Sequence, residues 1–189
     1  MDNFSASGVE EFYITVNSKK QMIKGYFHDH KSPYKIHFVD ENEPLGTAGS
    51  LGLINNNIDT TFFVVNCDSF VEANDEEILA WHKEHEASIT IVGCHKEITI
   101  PFGVLELSDG KLERIREKPV HDVIINTGVY VIEPHVISYF QKGEKMDMDN
   151  LIELVAAKEK VSVYPLYGNW FDIGQWQEYK ANIDKLKVF

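Results

Sequence analysis

The stretch Thr61-Phe-Phe-Val-Val-Asn-Cys-Asp68 decides the fold class of this chain. Its apolar run from Phe62 to Val65 is typical of a strand that is buried on both faces of a parallel sheet. Asp68 follows at the carboxyl end of that strand, where open α/β sheets place their ligands. An aspartate that caps the next loop would fit the same position. The stretch therefore predicts an α/β fold in which Asp68 lies either at a ligand site or in a loop cap.

Short strands and amphipathic helices alternate on both sides of this stretch. Strands are predicted at residues 12–16, 35–39, 61–65 and 88–92, at the centre of one sheet. Between them, one helical face carries Met22, Ile23, Tyr26 and Phe27, and another carries Ile78, Leu79 and His82. Asp75 and the two glutamates after it favour a helix N-terminus. This alternation predicts βαβ winding.

The pattern changes after Pro101. Residues 102–107 and 112–116 flank an Asp109-Gly110 turn and predict a hairpin, which is followed by a long strand at 123–132. A further strand is predicted at 161–165. Two more helices are expected, one capped by Asp149 and one with an apolar stripe of Trp176, Tyr179, Ile183 and Leu186. An antiparallel piece is thus added to a parallel sheet.

Length and composition limit the possible folds and partners. With 189 residues and 43% hydrophobic content, we expect a single domain. The 30 acidic and 18 basic side chains give a net charge of -12, which would repel a nucleic acid. No apolar stretch approaches the roughly 18 residues of a membrane span, and Cys67 and Cys94 are too few for a disulfide framework. We expect a cytoplasmic protein with buried thiols and neither membrane nor nucleic-acid partners.

Two further stretches carry candidate ligand-binding groups. In Glu43-Pro-Leu-Gly-Thr-Ala-Gly-Ser50, two glycines at a loop-to-helix junction would let a ring or a phosphate approach free N–H groups, although glycines are common at helix starts. Asp172, in Trp170-Phe-Asp-Ile-Gly174, would give Asp68 a second carboxylate. Oxygen ligands of this kind bind Mg²⁺ together with substrate phosphates. The alternative role of Asp172 is a cap at a helix start.

Two more stretches lie in or just before the long strand. Glu117-Lys-Pro119 is, in the simplest interpretation, a solvated turn with an exposed ion pair. With proline fixing the chain, Lys118 would also reach a phosphate, and Glu117 would accept bonds from sugar hydroxyls. Asn126 and Gly128 interrupt an apolar strand and weaken its packing unless a group such as a ligand approaches them. The eight histidines are assigned to no chemistry, because core-edge and surface histidines are commoner than ligands at such spacings.

Together these motifs resemble the sugar-phosphate nucleotidyltransferases, the nucleoside-diphosphate-sugar pyrophosphorylases, over the whole chain. The resemblance implies a Rossmann-like (GT-A-like) mixed sheet with helices on both faces and an added hairpin. It also implies a reaction in which a sugar 1-phosphate attacks the α-phosphate of a nucleoside triphosphate. Its guanylyltransferase branch, which favours GTP, is the most similar in the Leu-Gly-Thr-Ala-Gly form, and bacteria often couple such domains to a CBS-domain pair.

The resemblance also implies roles for individual residues. Mg²⁺ would be held by Asp68 and Asp172, which with Lys118 form the catalytic set. The base and ribose would lie against Leu45, Gly46, Thr47, Ala48 and Gly49. The sugar phosphate would be surrounded by Gly103, Glu117, Lys118, Asn126, Thr127 and Gly128.

One part of the family pattern does not occur in the sequence. Complete members carry a buried strand, a Gly-Gly-x-Gly-Thr-Arg loop and a Pro-Lys segment, whereas residues 1–8 resemble the end of the first helix. We therefore expect a fold that lacks its first βα unit. We also expect impaired catalysis, because removing even one comparable donor costs about 3 to 4 kcal/mol. The absent strand would lie between residues 12–16 and 61–65, so the bare edges there predict a homo-oligomer.

Two other functions remain open at this point. The chain would serve as a noncatalytic nucleotide-sugar binding module if it keeps its base, sugar and metal residues without turnover. A metal-dependent GT-A glycosyltransferase would share the sheet and an acidic motif. That class is expected to carry a paired Asp-x-Asp, and position 66 is Asn.

Overall fold

The computed structural model of the protein describes residues 1–30, 32–54, 58–141 and 143–174. Within these ranges the strands are β1 (Glu11–Val16), β2 (Lys35–Asp40), β3 (Phe62–Val65), β4 (Ser69–Val71), β5 (Ile89–Thr99), β6 (Val104–Ser108), β7 (Lys111–Arg116), β8 (Val120–Ile132), β9 (Val161–Leu166) and β10 (Trp170–Asp172). The α-helices are α1 (Asp2–Ala6), α2 (Lys20–Asp29), α3 (Gly46–Gly49), α4 (Asp75–Glu84) and α5 (Met148–Ala156). Two 3₁₀ turns lie at Ser50–Leu53 and Pro134–Tyr139. None of the helices described is long and apolar enough to cross a membrane.

The main sheet has four strands in the order β3-β8-β5-β9. Strand β8 is antiparallel to both of its neighbours, and β9 is parallel to β5. Strands β3, β5 and β9 therefore share one direction, and β8 is the antiparallel strand inserted among them. The predicted mixed α/β fold is confirmed.

Helices cover both faces of this sheet, as predicted. On one face, α3, α5 and the 3₁₀ turns pack on the strands through a buried cluster of Ala48, Leu51, Ile89, Tyr130, Ile132, Val136, Phe140, Met148, Leu151 and Val155. On the other face, α4 packs through Ile78, Val92, Cys94, Val129, Val131 and Leu166. Successive residues of β8 contribute to opposite clusters because side chains alternate along a strand.

Strands β1 and β2 form a separate parallel pair that α2 connects. The prediction that residues 12–16 and 35–39 lie at the centre of one sheet is therefore wrong. Among the described residues this unit forms no ladder with the main sheet, and its side chains have few neighbours. Only Val16 is buried in its two strands, and α2 buries no residue.

Strand β3 is an edge strand of the main sheet within the described part of the chain. Helix α1 packs on one face of β3, where the ring of Phe4 lies 5.2 Å from that of Phe63. Strand β1 pairs only with β2, and β3 pairs only with β8, so among the described residues the other edge of each strand is unpaired. These edges are where the family resemblance places a further strand.

The predicted hairpin is confirmed as β6 and β7, and its turn residues Asp109 and Gly110 have φ angles of 49° and 79°. Two positive φ values in succession are what a tight I′ turn requires. Strand β5 runs on to Thr99, and β8 begins at Val120 rather than at 123. Both are longer than predicted because they continue to pair as an arm that leaves the core, where their side chains are exposed.

Helix α5 begins at Met148 with Asp147 as its N-cap residue, so the prediction of Asp149 as the cap is wrong. The reason is a reciprocal contact with the turn that opens α3. Thr47 Oγ1 accepts the backbone N–H of Met148 at 2.8 Å, and Asp147 Oδ1 accepts the N–H of Thr47 at 3.2 Å. Each segment thus caps the other. The second predicted helix, around Trp176, lies outside the described residues.

The same turn is fixed by backbone hydrogen bonds. Met146 O accepts the N–H groups of Ala48 and Gly49 at 3.0 Å each, and Leu45 O accepts the N–H of Met146 at 2.9 Å. A side chain at Gly49 would begin 2.7 Å from Glu144 O. Glycine at position 49 is therefore required by the neighbouring chain segment.

A buried polar chain supports the sheet beside α4. His82 is 1% exposed; its Nδ1 lies 2.7 Å from Thr90 Oγ1 and its Nε2 3.0 Å from Glu133 Oε1. Thr90 Oγ1 in turn lies 2.7 Å from Ser162 Oγ. Both ring nitrogens have protein partners, so His82 is a core histidine.

The expectation of two buried thiols is wrong for one of them. Cys94 is buried in the sheet, but Cys67 is exposed. Cys67 follows the end of β3 and lies in a turn, where the layer of helices no longer covers the chain.

We predict that Thr47→Val destabilises the protein by about 1 kcal/mol, because valine keeps the side-chain shape and leaves the Met148 N–H without its acceptor. Urea unfolding measures this change. Thr99→Val, at the exposed end of β5, is the matched control and should be close to neutral. An unfolding free energy of T47V equal to that of the wild type would contradict the reciprocal cap.

We predict that Glu159→Gln lowers stability near neutral pH and that the deficit shrinks in acid. Hydrogen bonds from Ser88, Tyr139 and His135 lower the pKa of Glu159 from 4.5 to about 2. A carboxyl with a lower pKa in the folded state stabilises the fold above its unfolded pKa, and this contribution is lost as the pH falls from 4.5 towards 2. Urea midpoints across this range should show the wild type and E159Q converging. Glu153→Gln, at an exposed position of α5, should give a parallel curve instead.

Candidate functional site

The two candidate metal carboxylates, Asp68 and Asp172, lie together. Strand β10 pairs with β4 so that Asp172 is opposite Ser69, and the N–H of Ile173 donates to Asp68 O at 2.9 Å. A Cβ atom added at Gly174 would lie 2.6 Å from Asp68 Oδ2 and 3.1 Å from Asp172 Oδ1. The two oxygens are therefore separated by no more than the sum of these distances, with no side chain between them at position 174.

This pair suits a cation that brings most of its own ligands. Mg²⁺ in phosphate-transferring sites is usually held by one or two carboxylates, with water and phosphate oxygens completing the octahedron. In the described ranges, no three or more His, Cys, Asp or Glu side chains gather into a metal-binding group. The residues present fit a metal shared with a phosphate better than a closed protein cage.

Gly128 is required by the chain's own packing. Strand β8 bulges opposite Val92, and Gly128 in this bulge has a φ of 78°. A Cβ there would lie 2.7 Å from Asn66 Nδ2 and 2.9 Å from Ser69 Oγ. The group that approaches the strand at this point is thus the turn after β3, which contains Asp68.

Asn126 and Thr127 are also held by protein partners. The amide of Asn126 donates to Tyr130 Oη at 2.8 Å and accepts the N–H of Gly128 at 3.1 Å. Thr127 is buried, and its hydroxyl donates to Val92 O at 2.8 Å. These bonds orient Asn126, which remains exposed.

Trp170 contributes to the site, although the sequence patterns above assign it no role. Its indole Nε1–H donates to Thr127 O at 3.2 Å, and Lys96 Nζ lies 5.6 Å from the centre of its ring. This bond fixes the start of β10 on β8 and thereby positions Asp172 two residues further on. The signal available was a tryptophan two residues before a carboxylate, because the N–H of a half-buried indole needs an acceptor.

Gly103, Glu117 and Lys118 form a second group on the arm. A Cβ at Gly103 would lie 3.1 Å from Glu117 Oε2. Lys118 has a φ of 45°, and its N–H donates to Phe102 O at 3.3 Å. Along the extended chain, the eight residue steps from Lys118 to Asn126 span about 26 Å. The structure thus places the predicted sugar-phosphate residues in two clusters at the two ends of the exposed half of β8.

The predicted nucleotide residues at 45–49 adjoin the cluster around Asn126 through Tyr130, which packs with Ala48 in one buried cluster. Burial raises the pKa of Tyr130, and the charge of Asp149 adds to this rise. The N–H groups of Thr47, Ala48 and Gly49 are used by residues 146 and 147, contrary to the expectation that they are free. The N–H of Gly46 has no acceptor among the described residues and remains available to a ligand.

A separate groove of about 620 Å³ lies between α2 and β2, where Lys24, Phe27 and Tyr34 contribute to its lining. None of the predicted site residues lines it. The carboxylate pair and the groove are therefore distinct features of the molecule.

Comparison with known proteins shows the family of the chain. The family model for nucleotidyl transferases matches residues 1–187. A mannose-1-phosphate guanyltransferase of Yarrowia lipolytica is 30% identical over 188 residues, which are 95% of this chain and 52% of that protein. Mannose-1-phosphate guanylyltransferase 1 of Arabidopsis thaliana is 30% identical over 189 residues, with the same two coverages. The chain thus spans about half the length of these curated relatives.

Solved structures show the same fold. HddC from Yersinia pseudotuberculosis superposes with a TM-score of 0.75 at 21% identity, over 98% of this chain and 83% of that one, and it has also been solved in complex with GMP-PN. A putative glucose-1-phosphate thymidylyltransferase from Bacillus anthracis gives a TM-score of 0.74 at 14% identity, over 99% and 80% of the two chains. Since the family model covers the chain almost from end to end, the chain belongs to the nucleotidyl transferase family.

Proposed function

We propose that this chain binds a nucleoside triphosphate and a hexose 1-phosphate, and that its site serves their conversion to a nucleotide sugar and pyrophosphate. The observation that carries the proposal is the convergence of Asp68 and Asp172 around Gly174 in a member of the nucleotidyl transferase family. Two carboxylates at the end of an apolar strand are suited to a metal that meets phosphate oxygens.

Each cluster of the site has a part in this proposal. Asp68 and Asp172 would hold Mg²⁺, which when bound neutralises phosphate charge. Trp170 and Gly128 keep these carboxylates in place through the turn after β3 and the start of β10. Lys118 on the arm supplies a cation for the sugar phosphate, and Glu117 supplies acceptors for sugar hydroxyls. Lys118 and Asn126 lie at opposite ends of the exposed half of β8, so one hexose 1-phosphate would reach both only if the arm bent towards the core.

We further propose that the base is guanine. The relatives described above are mannose-1-phosphate guanylyltransferases, and HddC has been solved in complex with GMP-PN. In this chain the N–H of Gly46 has no protein acceptor in the described residues and is left for a ligand, although Asp147 and Met146 fill the space that a side chain at position 46 would take. We assign the reaction to the cytoplasm, since Cys67 and Cys94 are both free thiols and reducing compartments favour that state.

We expect Gly174→Ala to weaken metal binding roughly 10- to 100-fold, because the new methyl group would push apart the two carboxylates that should share the ion. Mn²⁺ binding, followed by electron paramagnetic resonance with Mg²⁺ as the competitor, measures the effect. Gly25→Ala is the matched control, since a Cβ at position 25 meets nothing within 4 Å. Equal Mn²⁺ affinity of G174A and the wild type would refute the proposed metal position.

We expect the 189-residue polypeptide, tested by itself, to bind GDP-mannose with a Kd on the order of micromolar. Its pyrophosphate release from GTP, Mg²⁺ and mannose, glucose or glucosamine 1-phosphate should be slow, because no Gly-Gly-x-Gly-Thr-Arg loop occurs among these residues. Calorimetry measures the first quantity and a phosphate-coupled assay the second. Turnover at an ordinary rate of about 1 to 10³ per second would contradict the expected impairment. Absence of both binding and turnover would refute the proposed function itself.

A further inference from the structure

The hairpin formed by β6 and β7 carries an apolar face that nothing in the described structure covers. Cross-strand register pairs Leu105 with Ile115 and Leu107 with Leu112, so these four side chains share one face. They are 55% to 63% exposed. The name apolar hairpin face is used below for these four residues.

The opposite face of the hairpin is polar. There Val104 is paired with Arg116 and Glu106 with Arg114, and Arg116 forms an ion pair with Glu106. This polar face is therefore suited to exposure to solvent. The register shifts at a bulge between Glu106 and Leu107. Because of this bulge, Leu112 and Ile115 lie on the same face of the hairpin although they are three positions apart in the sequence.

The hairpin also lacks support from other strands. Strands β6 and β7 form a two-stranded sheet by themselves within the described residues. A two-stranded hairpin alone is at best marginally stable in water and needs a packed face for independent stability. Exposed apolar patches of this kind mark interaction sites.

The charge distribution indicates what covers this face. The whole chain has a net charge of -12, but residues 103–118 contain four acidic and four basic side chains. Both arginines of the chain, Arg114 and Arg116, lie in this segment. Two copies of the chain would repel each other over most of their surfaces, and the neutral hairpin is a place where they approach without that cost.

The area of the face is also appropriate for a dimer. Each of the four side chains exposes roughly 100 Å², so two copies would bury on the order of 800 Å² of apolar surface. Interfaces are about 60% apolar, which gives a total of about 1,300 Å² and falls within the range of stable complexes. About a two-fold axis, the same four residues of each copy would form both halves of the interface.

We propose that two copies of this chain associate through the apolar hairpin face, which packs against itself about a two-fold axis. Ile115 Cγ2 lies 3.9 Å from the Cβ position of Gly103, so the interface would border the arm cluster of Gly103 and Glu117. The inference does not depend on the proposed reaction.

The test compares Leu107→Asp with Ser108→Asp by sedimentation equilibrium over a range of concentrations. Both substitutions add one negative charge at neighbouring exposed positions, but only L107D alters the apolar hairpin face. We expect the wild type and S108D to dimerise and L107D to dissociate at least about tenfold more readily. Thermal unfolding monitored by circular dichroism checks that L107D remains folded, as its exposed position predicts.

A second pair of variants covers the case in which L107D does not fold. Leu112→Lys changes the same face with the opposite charge, and Ser108→Lys is its control. A monomeric wild type would overturn the proposal. So would dimers of unchanged affinity in both L107D and L112K, since assembly through the edges of β1 and β3 would be indifferent to these changes. If S108D and S108K lost the dimer equally, the effect would be due to the added charge, and the proposal would also be overturned.

Discussion

The close contact between Asn66 and Gly128 determines where the candidate site lies. Glycine at position 128, with its φ of 78°, admits the Asn66 amide and the Ser69 hydroxyl to the backbone of β8. This contact fixes the turn after β3, and the same turn carries Asp68. The main-chain bond from Ile173 to Asp68 and the indole bond from Trp170 to Thr127 then attach β10 to it. A Cβ at position 128 would displace the turn, and with it the carboxylate pair, without touching either carboxylate.

Strand β8 links this site to the rest of the molecule. Its inner half is buried between β3 and β5 and contributes to the clusters on both faces of the sheet. Its outer half is exposed and pairs with the end of β5 to form the arm. The bulge at Gly128 lies at the boundary between the two halves. The carboxylate pair is thus attached to the rigid half, whereas Lys118 precedes the exposed half. In the proposed function, recognition of the sugar would depend on the arm, and placement of the metal would depend on the core.

Sequence patterns were sufficient for features that depend on neighbouring residues. Strand β3, the N-terminus of α4 at Asp75 and the Asp109-Gly110 turn follow from local periodicity and backbone preference. Features that depend on distant partners were not predictable in this way. Asp147 rather than Asp149 caps α5 because Thr47, distant in the sequence, accepts the N–H of Met148.

Dependence on distant partners also explains which predictions about the site are correct and which are wrong. The pairing of Asp68 with Asp172 is suggested by their residue types, and the structure brings them together. Gly128 was attributed to ligand access, whereas its neighbour is Asn66, a side chain whose position depends on the long-range pairing of β3 with β8. The separation of β1 and β2 from the main sheet likewise depends on which strands find partners, and apolar periodicity alone does not contain that information.

The exposed thiol at position 67 has a chemical consequence for the site. Cys94 is buried, and burial raises the pKa of its thiol, which reduces the fraction of reactive thiolate. Cys67 is exposed and lies between Asn66 and Asp68. A maleimide dye or a mild oxidant would therefore modify Cys67 first. The adduct would be attached to the residue next to Asp68, the proposed metal ligand, so a single covalent label would report cation binding in the proposed site, and peroxide would block that site without unfolding the chain.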